Sequence, residues 1–305
     1  MTAEMISGPD LGGGYLHQLT LESGEGPARF TYHAQIGGPD ANGPPLGPLE
    51  PLGFRHPKSP CPFGGPRCWH RGFELPASHV GRVRQAYNRF RFCLEAMLAQ
   101  CHAGRPPAIA MAVETIAARL GEVSRVSERF WYIGGSTAAW LQGAEVDPRD
   151  IDLGTAAVGI DAIGSALAEF LIEPIATTDW EDGRSVVGAR AFVGTMREGA
   201  RVEWSVPRGD DPAADPEFDP RIDHVAVRRI HVGEHAVWVS RPEYALLRAL
   251  LRGREEAAQR LARAVETLGP DRPLLARLLR DDRVPPAIGE WLAARFGLSD
   301  VPMEP

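Results

Sequence analysis

Two aspartates one residue apart, Asp150 and Asp152, stand in the segment DIDLGT. On a strand, residues i and i+2 point to one face. The two carboxylates therefore lie together, and Ile151 and Leu153 turn the other way toward a core. Like charges held close raise each other's proton affinity unless a cation neutralises them. Mg²⁺ suits the role, because it is commonly held by one or two carboxylates plus substrate phosphates. A D-x-D pair alone is also common on solvated strand ends, so the preceding residues matter. Gly134 and Gly135 follow the apolar run FWYI, and Ser136 opens the helical stretch STAAWLQG. A glycine turn into a helix offers amides without partners and the positive end of a helix dipole, a seat for a triphosphate. The Ser136 hydroxyl adds a donor. An anion cradle and a metal clamp on neighbouring elements are the parts phosphoryl transfer needs.

The order apolar strand, G-G-S, helix, D-x-D resembles the nucleotidyltransferase superfamily that includes DNA polymerase beta, the CCA-adding enzymes and the aminoglycoside nucleotidyltransferases. The likeness is closest to small prokaryotic stand-alone nucleotidyltransferase-like proteins. It runs through DIDLGTAAVGIDAIGSAL, the strands around GRSVVGARAFVG and ARVEWS, and the helical RPEYALLRALLRGREEAAQRL, about residues 110–265. The resemblance implies an α+β fold: a mixed-sheet core with flanking helices and a helical C-terminal region. It also implies a third carboxylate on a later strand, for which Glu203 in ARVEWSVP is the candidate; Asp182 and Glu198 sit beside glycine in turn-like stretches. The implied chemistry is transfer of a nucleoside monophosphate, AMP from ATP, to a hydroxyl of a small molecule, an RNA end or a protein. Two Mg²⁺ ions would be held by Asp150, Asp152 and Glu203. Gly134, Gly135 and Ser136 would grip the nucleoside triphosphate. Arg149 and Arg184 are candidates for neutralising phosphate, with a surface arginine as the plainer reading of each. Many relatives carry lysine in the C-terminal helix where this chain has Arg248, Arg252 and Arg254. The alternative is a non-catalytic nucleotide-sensing or partner-binding protein on the same fold, such as a toxin–antitoxin component.

A second cluster lies in HPKSPCPFGGPRCWHR, which gathers His56, Cys61, Cys68 and His70. Thiolate and imidazole are preferred zinc ligands, and an irregular loop without a core gains from a metal staple. The spacing fits no common zinc finger, so buried free thiols or a ligand-shaping loop stand beside a structural Zn²⁺ as readings.

The elements that must position these residues follow from pattern. Residues 1–78 hold 12 of the 27 prolines and 14 of the 33 glycines, which disfavours long regular elements between about 37 and 70. YLHQLTLES and ARFTYHAQI alternate and read as a strand pair. This part is expected as a Pro/Gly-rich β or irregular N-terminal module outside the shared pattern. Val83, Tyr87, Phe90, Leu94, Met97 and Cys101 recur at helical spacing, which predicts a helical connector over 79–125. Residues 126–239 mix helix and strand and form the expected core, IDAIGSALAEFL reading as one helix. Residues 240–305 turn helical, with Arg248, Arg252 and Glu255 on a solvated face.

A net charge of −7 gives no global field for nucleic acid, so an RNA end is the one nucleic-acid partner considered. No run of about 18 apolar residues predicts a membrane span, and MTAEMISGPDLGGG lacks a secretory pattern. Four cysteines are too few for a disulfide scaffold. Together these point to the cytoplasm.

Overall fold

The computed structural model describes residues 2–5, 10–12, 15–23, 27–36, 48–55, 68–75, 80–127, 131–155, 157–179, 185–207, 226–280 and 284–298. The N-terminal strands are β1 (Thr2–Met5), β2 (Asp10–Gly12), β3 (Tyr15–Ser23), β4 (Ala28–Ile36) and β5 (Cys68–Leu75), with a 3₁₀ turn at Glu50–Leu52. Helices α1 (Val80–His102) and α2 (Ile109–Ser127) follow. Next come β6 (Trp131–Ile133), α3 (Gly135–Leu141), β7 (Ile151–Thr155), α4 (Ile160–Ala166), β8 (Leu171–Asp179), β9 (Ser185–Gly194), β10 (Gly199–Pro207), β11 (Val227–Val232) and β12 (His235–Ser240). The last described elements are α5 (Pro242–Leu251), α6 (Glu255–Leu268), α7 (Arg272–Leu278) and α8 (Pro286–Phe296).

The strands form one mixed sheet in the order β1-β3-β4-β5-β8-β9-β10-β7-β6-β12-β11, with β2 on β3. The pairs β10/β7 and β12/β6 are parallel, and the others are antiparallel. The fold class is therefore α+β around a mixed sheet. No described helix is long and apolar enough to cross a membrane.

Alternation decides which side of the core strands carries charge. Ile151 and Leu153 of β7, with Val202 and Trp204 of β10, are buried in one cluster with Ile116 and Leu120 of α2 and Ile163 of α4. Asp152 and Glu203 occupy the intervening positions and emerge on the opposite face. Tyr132 of β6 faces that side too, and is buried with Ala139 of α3 and the apolar faces of α5 and α6. Helices α2 and α4 thus cover one face, while α3 and the C-terminal helices wall the other.

IDAIGSALAEFL does not form one helix. Helix α4 stops at Ala166, a 3₁₀ turn spans Ala168–Phe170, and Leu171 begins β8. Leu171 joins the α2/α4 core and Ile172 the α1 core, so packing on two sides overrides helical propensity. Strand β8 (LIEPIATTD) is not among the strands expected from the sequence, and it contains Pro174, which removes a ladder donor. Pro174 sits in a register shift, between the Glu173–Arg190 and Ala176–Gly188 pairs, where a bulge spares the missing N–H.

The N-terminal strands extend this sheet. Strand β5 meets β8 at a single described pair, Glu74 with Thr177. Helix α1 packs Val83, Tyr87, Phe90 and Leu94 against Phe30, Tyr32 and Phe73 of β4 and β5. The Tyr32 hydroxyl donates to the Ile172 carbonyl of β8. Arg71 of β5 forms a two-point ion pair with Glu173 of β8, Nε to Oε1 at 2.6 Å and Nη2 to Oε2 at 2.8 Å. Both side chains are more than nine-tenths buried. Removing one partner of such a pair leaves an uncompensated charge. Glu173→Ala is expected to cost about 3–5 kcal/mol in urea unfolding. Replacement of both residues by apolar side chains of matching size is expected to cost much less.

Candidate active site

Asp152 and Glu203 are register partners on the adjacent parallel strands β7 and β10. Asp150 stands in the bend just before β7. Its main-chain carbonyl accepts from the Thr137 hydroxyl at 2.6 Å, which ties the bend to α3. Thr137 is 1% exposed. Sequence reading missed it, although it follows Ser136 directly and its hydroxyl is within the first turn of α3.

The glycine turn closes on Asp152. The Gly134 amide donates to the Asp152 carbonyl at 2.8 Å, and the Gly134 carbonyl accepts from Ala138. The amides of residues 135–137 have no acceptor one turn back, as at any helix start. Gly135 has φ +61°, and a β-carbon there would lie 2.5 Å from Asp152 Oδ2. Left-handed backbone and lack of space both require glycine at this position. Gly154 has a related duty across β6/β7. It pairs with Tyr132, whose ring lies over it and would overlap any β-carbon.

Arginines that the sequence did not single out surround the carboxylates. Arg190 of β9 is the cross-strand partner of Glu203, and its Nη2 donates to Glu203 Oε1 at 3.1 Å. Arg190 Nη1 lies 3.5 Å from Glu173 Oε1. Arg201 Nη2 stands 3.6 Å from Asp150 Oδ2. A signal existed in ARVEW: Arg201 and Glu203 are two residues apart on one strand and so share a face.

These charges separate the acids. Burial, then the charge of Asp152 and more weakly that of Glu203, push the Asp150 carboxyl up to about 6, against the pull of Arg201 and Arg254. Burial also pushes Glu203 up. The charge and hydrogen bond of Arg190, with help from Arg71 and Arg201, outweigh it and hold Glu203 below the usual carboxylate range. Asp150 is thus the strained member of the set, and Glu203 the neutralised one. Among the described residues, no three His, Cys, Asp or Glu side chains stand close enough together to share an ion.

The C-terminal helices reach this face. Arg248 of α5, expected on a solvated surface, turns inward and donates to the Tyr132 hydroxyl at 2.9 Å. Arg254, at the start of α6, stabilises the charged form of Asp150. Arg149 is not brought to the carboxylates; it pairs with Asp147 on the surface at 3.1 Å, more than half exposed. Glu198 is exposed in the β9–β10 turn. Asp182 and Arg184 lie outside the described residues, as do His56 and Cys61. Cys68 begins β5, and His70 of β5 is the cross-strand partner of His33 on β4, ring centroids 4.5 Å apart. Burial and the neighbouring His70 lower His33 to about 4, and burial lowers His70. An open cleft of about 450 Å³ beside these strands touches Gly53 and Arg71 but none of the three carboxylates.

The raised Asp150 value has a stability consequence of definite sign. A carboxyl raised from 3.8 toward 6 makes the fold bind the proton more tightly than the unfolded chain does. Its contribution is fully present below about pH 4 and is lost as pH rises through 6. Asp150 keeps 40% of its side chain exposed, which softens the effect. Asp150→Asn is therefore expected to stabilise the metal-free protein at pH 7.5, by urea midpoint, with the advantage fading toward pH 4.

No protein-family model and no curated protein matches the chain. Among the solved structures similar to parts of it are two of note. One is a candidate nucleotidyltransferase from Thermotoga maritima, 21% identical, covering 51% of this chain and 91% of its own length, with a TM-score of 0.36. The other is an antigenic nucleotidyltransferase-like protein from Paracoccidioides brasiliensis, 11% identical, covering 62% of this chain and 90% of its own length, with a TM-score of 0.37. At scores this low neither likeness bears on the chemistry, which rests on the side chains described above.

Proposed function

We propose that the protein is a metal-dependent nucleotidyltransferase that moves a nucleoside monophosphate, AMP from ATP, to an acceptor hydroxyl. The observation that carries this reading is the pairing of Asp152 with Glu203 on adjacent strands, two residues after Asp150, with the Gly134–Gly135 turn closed onto Asp152.

The donor set suits Mg²⁺. The candidates are hard carboxylate oxygens, and burial together with repulsion from Asp152, which raise Asp150, is the strain a divalent cation relieves. Asp150 and Asp152 would hold the metal; two ions are the expected complement. Glu203, tied to Arg190 on the neighbouring strand and not within sharing distance of the pair, would have to leave that arginine and close on them to serve as the third acid. Bound there, Mg²⁺ would offset polyphosphate charge and favour the ionised acceptor hydroxyl. The amides at Gly135 and Ser136 and the Ser136 hydroxyl would donate to the triphosphate and then to departing pyrophosphate. Thr137 would hold the Asp150 bend against that turn. Arg201 and Arg254 would add positive charge beside the phosphates.

Asp150→Ala combined with Asp152→Ala is expected to reduce Mg²⁺-dependent ATP binding and pyrophosphate release to background. Equal binding by the double variant and the parent would remove the clamp.

One observation favours a second reading. Glu203 is already neutralised by Arg190, as in a nucleotide-sensing protein that no longer turns over. Incubation with each labelled nucleoside triphosphate and Mg²⁺ separates the two. Pyrophosphate release or self-labelling supports the transferase, and binding without release supports the sensor.

A structural zinc at His56, Cys61, Cys68 and His70 stays a proposal, now with His33 beside His70. Both imidazoles favour the neutral, ligating form. Refilled protein is expected to hold about one zinc per chain by elemental analysis, and less than about 0.2 would remove the site.

A further inference from the structure

Three consecutive carbonyls of the Pro/Gly-rich N-terminal part each accept from a different arginine. Arg201 donates to Pro51 at 3.1 Å, Arg190 to Leu52 at 3.2 Å and Arg71 to Gly53 at 2.9 Å. Each of these arginines also holds an acid. Arg201 faces Asp150, Arg190 bridges Glu203 and Glu173, and Arg71 grips Glu173.

The turn that presents these carbonyls is itself fixed. Leu49, Leu52 and Phe54 are buried in the α1 core, and Phe54 stacks on Phe90 with centroids 5.6 Å apart. Arg55 bridges to His70 of β5. Gly53 ends the 3₁₀ turn at φ +81°, with its amide donating to the Glu50 carbonyl at 2.8 Å. A β-carbon on Gly53 would overlap the Arg71 guanidinium and stand 2.9 Å from Arg190 Nη1.

We infer that the Pro51–Gly53 turn is a positioning element of the active site: its carbonyls set the arginines, and the arginines set Asp150 and Glu203. The inference rests on the transferase reading for its link to metal and nucleotide, and on geometry alone for its link to the arginines. An arginine fork with one branch on a rigid carbonyl has little freedom left for the carboxylate on the other branch. Outer partners that orient metal-binding carboxylates affect affinity although they touch neither metal nor substrate. Gly53 therefore acts on acids about 100 and 150 residues further along the chain, from a segment outside the pattern that carries the resemblance.

The test uses the full chain. Gly53→Ala is compared with Gly233→Ala, a change at a glycine of similar backbone (φ +56°) in the β11–β12 turn, with nothing within 4 Å of the added carbon. Calorimetric titration with MgCl₂ and ATP is expected to show Gly53→Ala binding about 10–100-fold more weakly than the parent, with Gly233→Ala unchanged. Arg190→Lys and Arg201→Lys keep the charge but lose the fork. They are expected to weaken binding likewise, and they carry the test if Gly53→Ala does not fold. A melting-temperature cycle of Gly53→Ala, Arg190→Gln and the double variant reads the arginine link without nucleotide, and non-additive shifts are expected. If the parent itself binds no Mg²⁺ and ATP, the transferase reading fails and the cycle alone decides the positioning link. Parent-like binding in Gly53→Ala and both lysine variants, or additive melting shifts, would overturn the inference.

Discussion

The structure depends on a ladder of alternating charge, Arg71–Glu173–Arg190–Glu203, buried at its first two members and half-buried at the last two, that crosses from β5 through β8 and β9 to β10. Ionised groups away from water are tolerable only when each is paired. Here every rung takes its neighbour as partner, and the spare arginine donors end on main-chain carbonyls. Strands β5 and β8 share one described ladder pair, so the ion pair between Arg71 and Glu173, the Tyr32 hydroxyl and the α1 core join the N-terminal strands to the rest. The same ladder ends on the third carboxylate of the candidate site. Stability of the junction and electrostatics of the site are thus one system.

Close approach is the second constraint. Of the glycines where another residue's side chain occupies the space of a β-carbon, three bear on the candidate site: Gly135 beneath Asp152, Gly154 beneath Tyr132 and Gly53 beneath Arg71. Each places backbone against a group that matters to the carboxylates. The Tyr132 hydroxyl then accepts from Arg248, which joins the C-terminal helices to the same face of the sheet. Acids are gathered from β7 and β10, and cations come from β9, β10 and the start of α6. The result is a concentrated but balanced field in a chain whose overall charge is −7.

Much of the core was legible because it is local. The alternation IDLGT and RVEWS places Asp152 and Glu203 opposite their apolar neighbours, and burial follows that alternation. The helical period of α1 is visible because one face packs and the other does not. Strand β8 was not legible, since its proline argues against a strand unless a bulge is known to receive it. Arg149 looked suited to phosphate because it adjoins Asp150 in sequence, yet adjacent residues on an extended chain diverge, and it pairs with Asp147.

The sequence by itself determined the acids, the glycine turn and their shared face, since each is a matter of residue type and short-range period. Only the tertiary structure decided which cations face them. Arg190 meets Glu203 by strand register, Arg254 approaches Asp150 by helix packing, and Arg201 is locked by the Pro51 carbonyl. Those contacts span 13 to 150 residues of chain. Long flexible side chains leave no periodic trace of their partners, so only the packed sheet specifies where the positive charge goes.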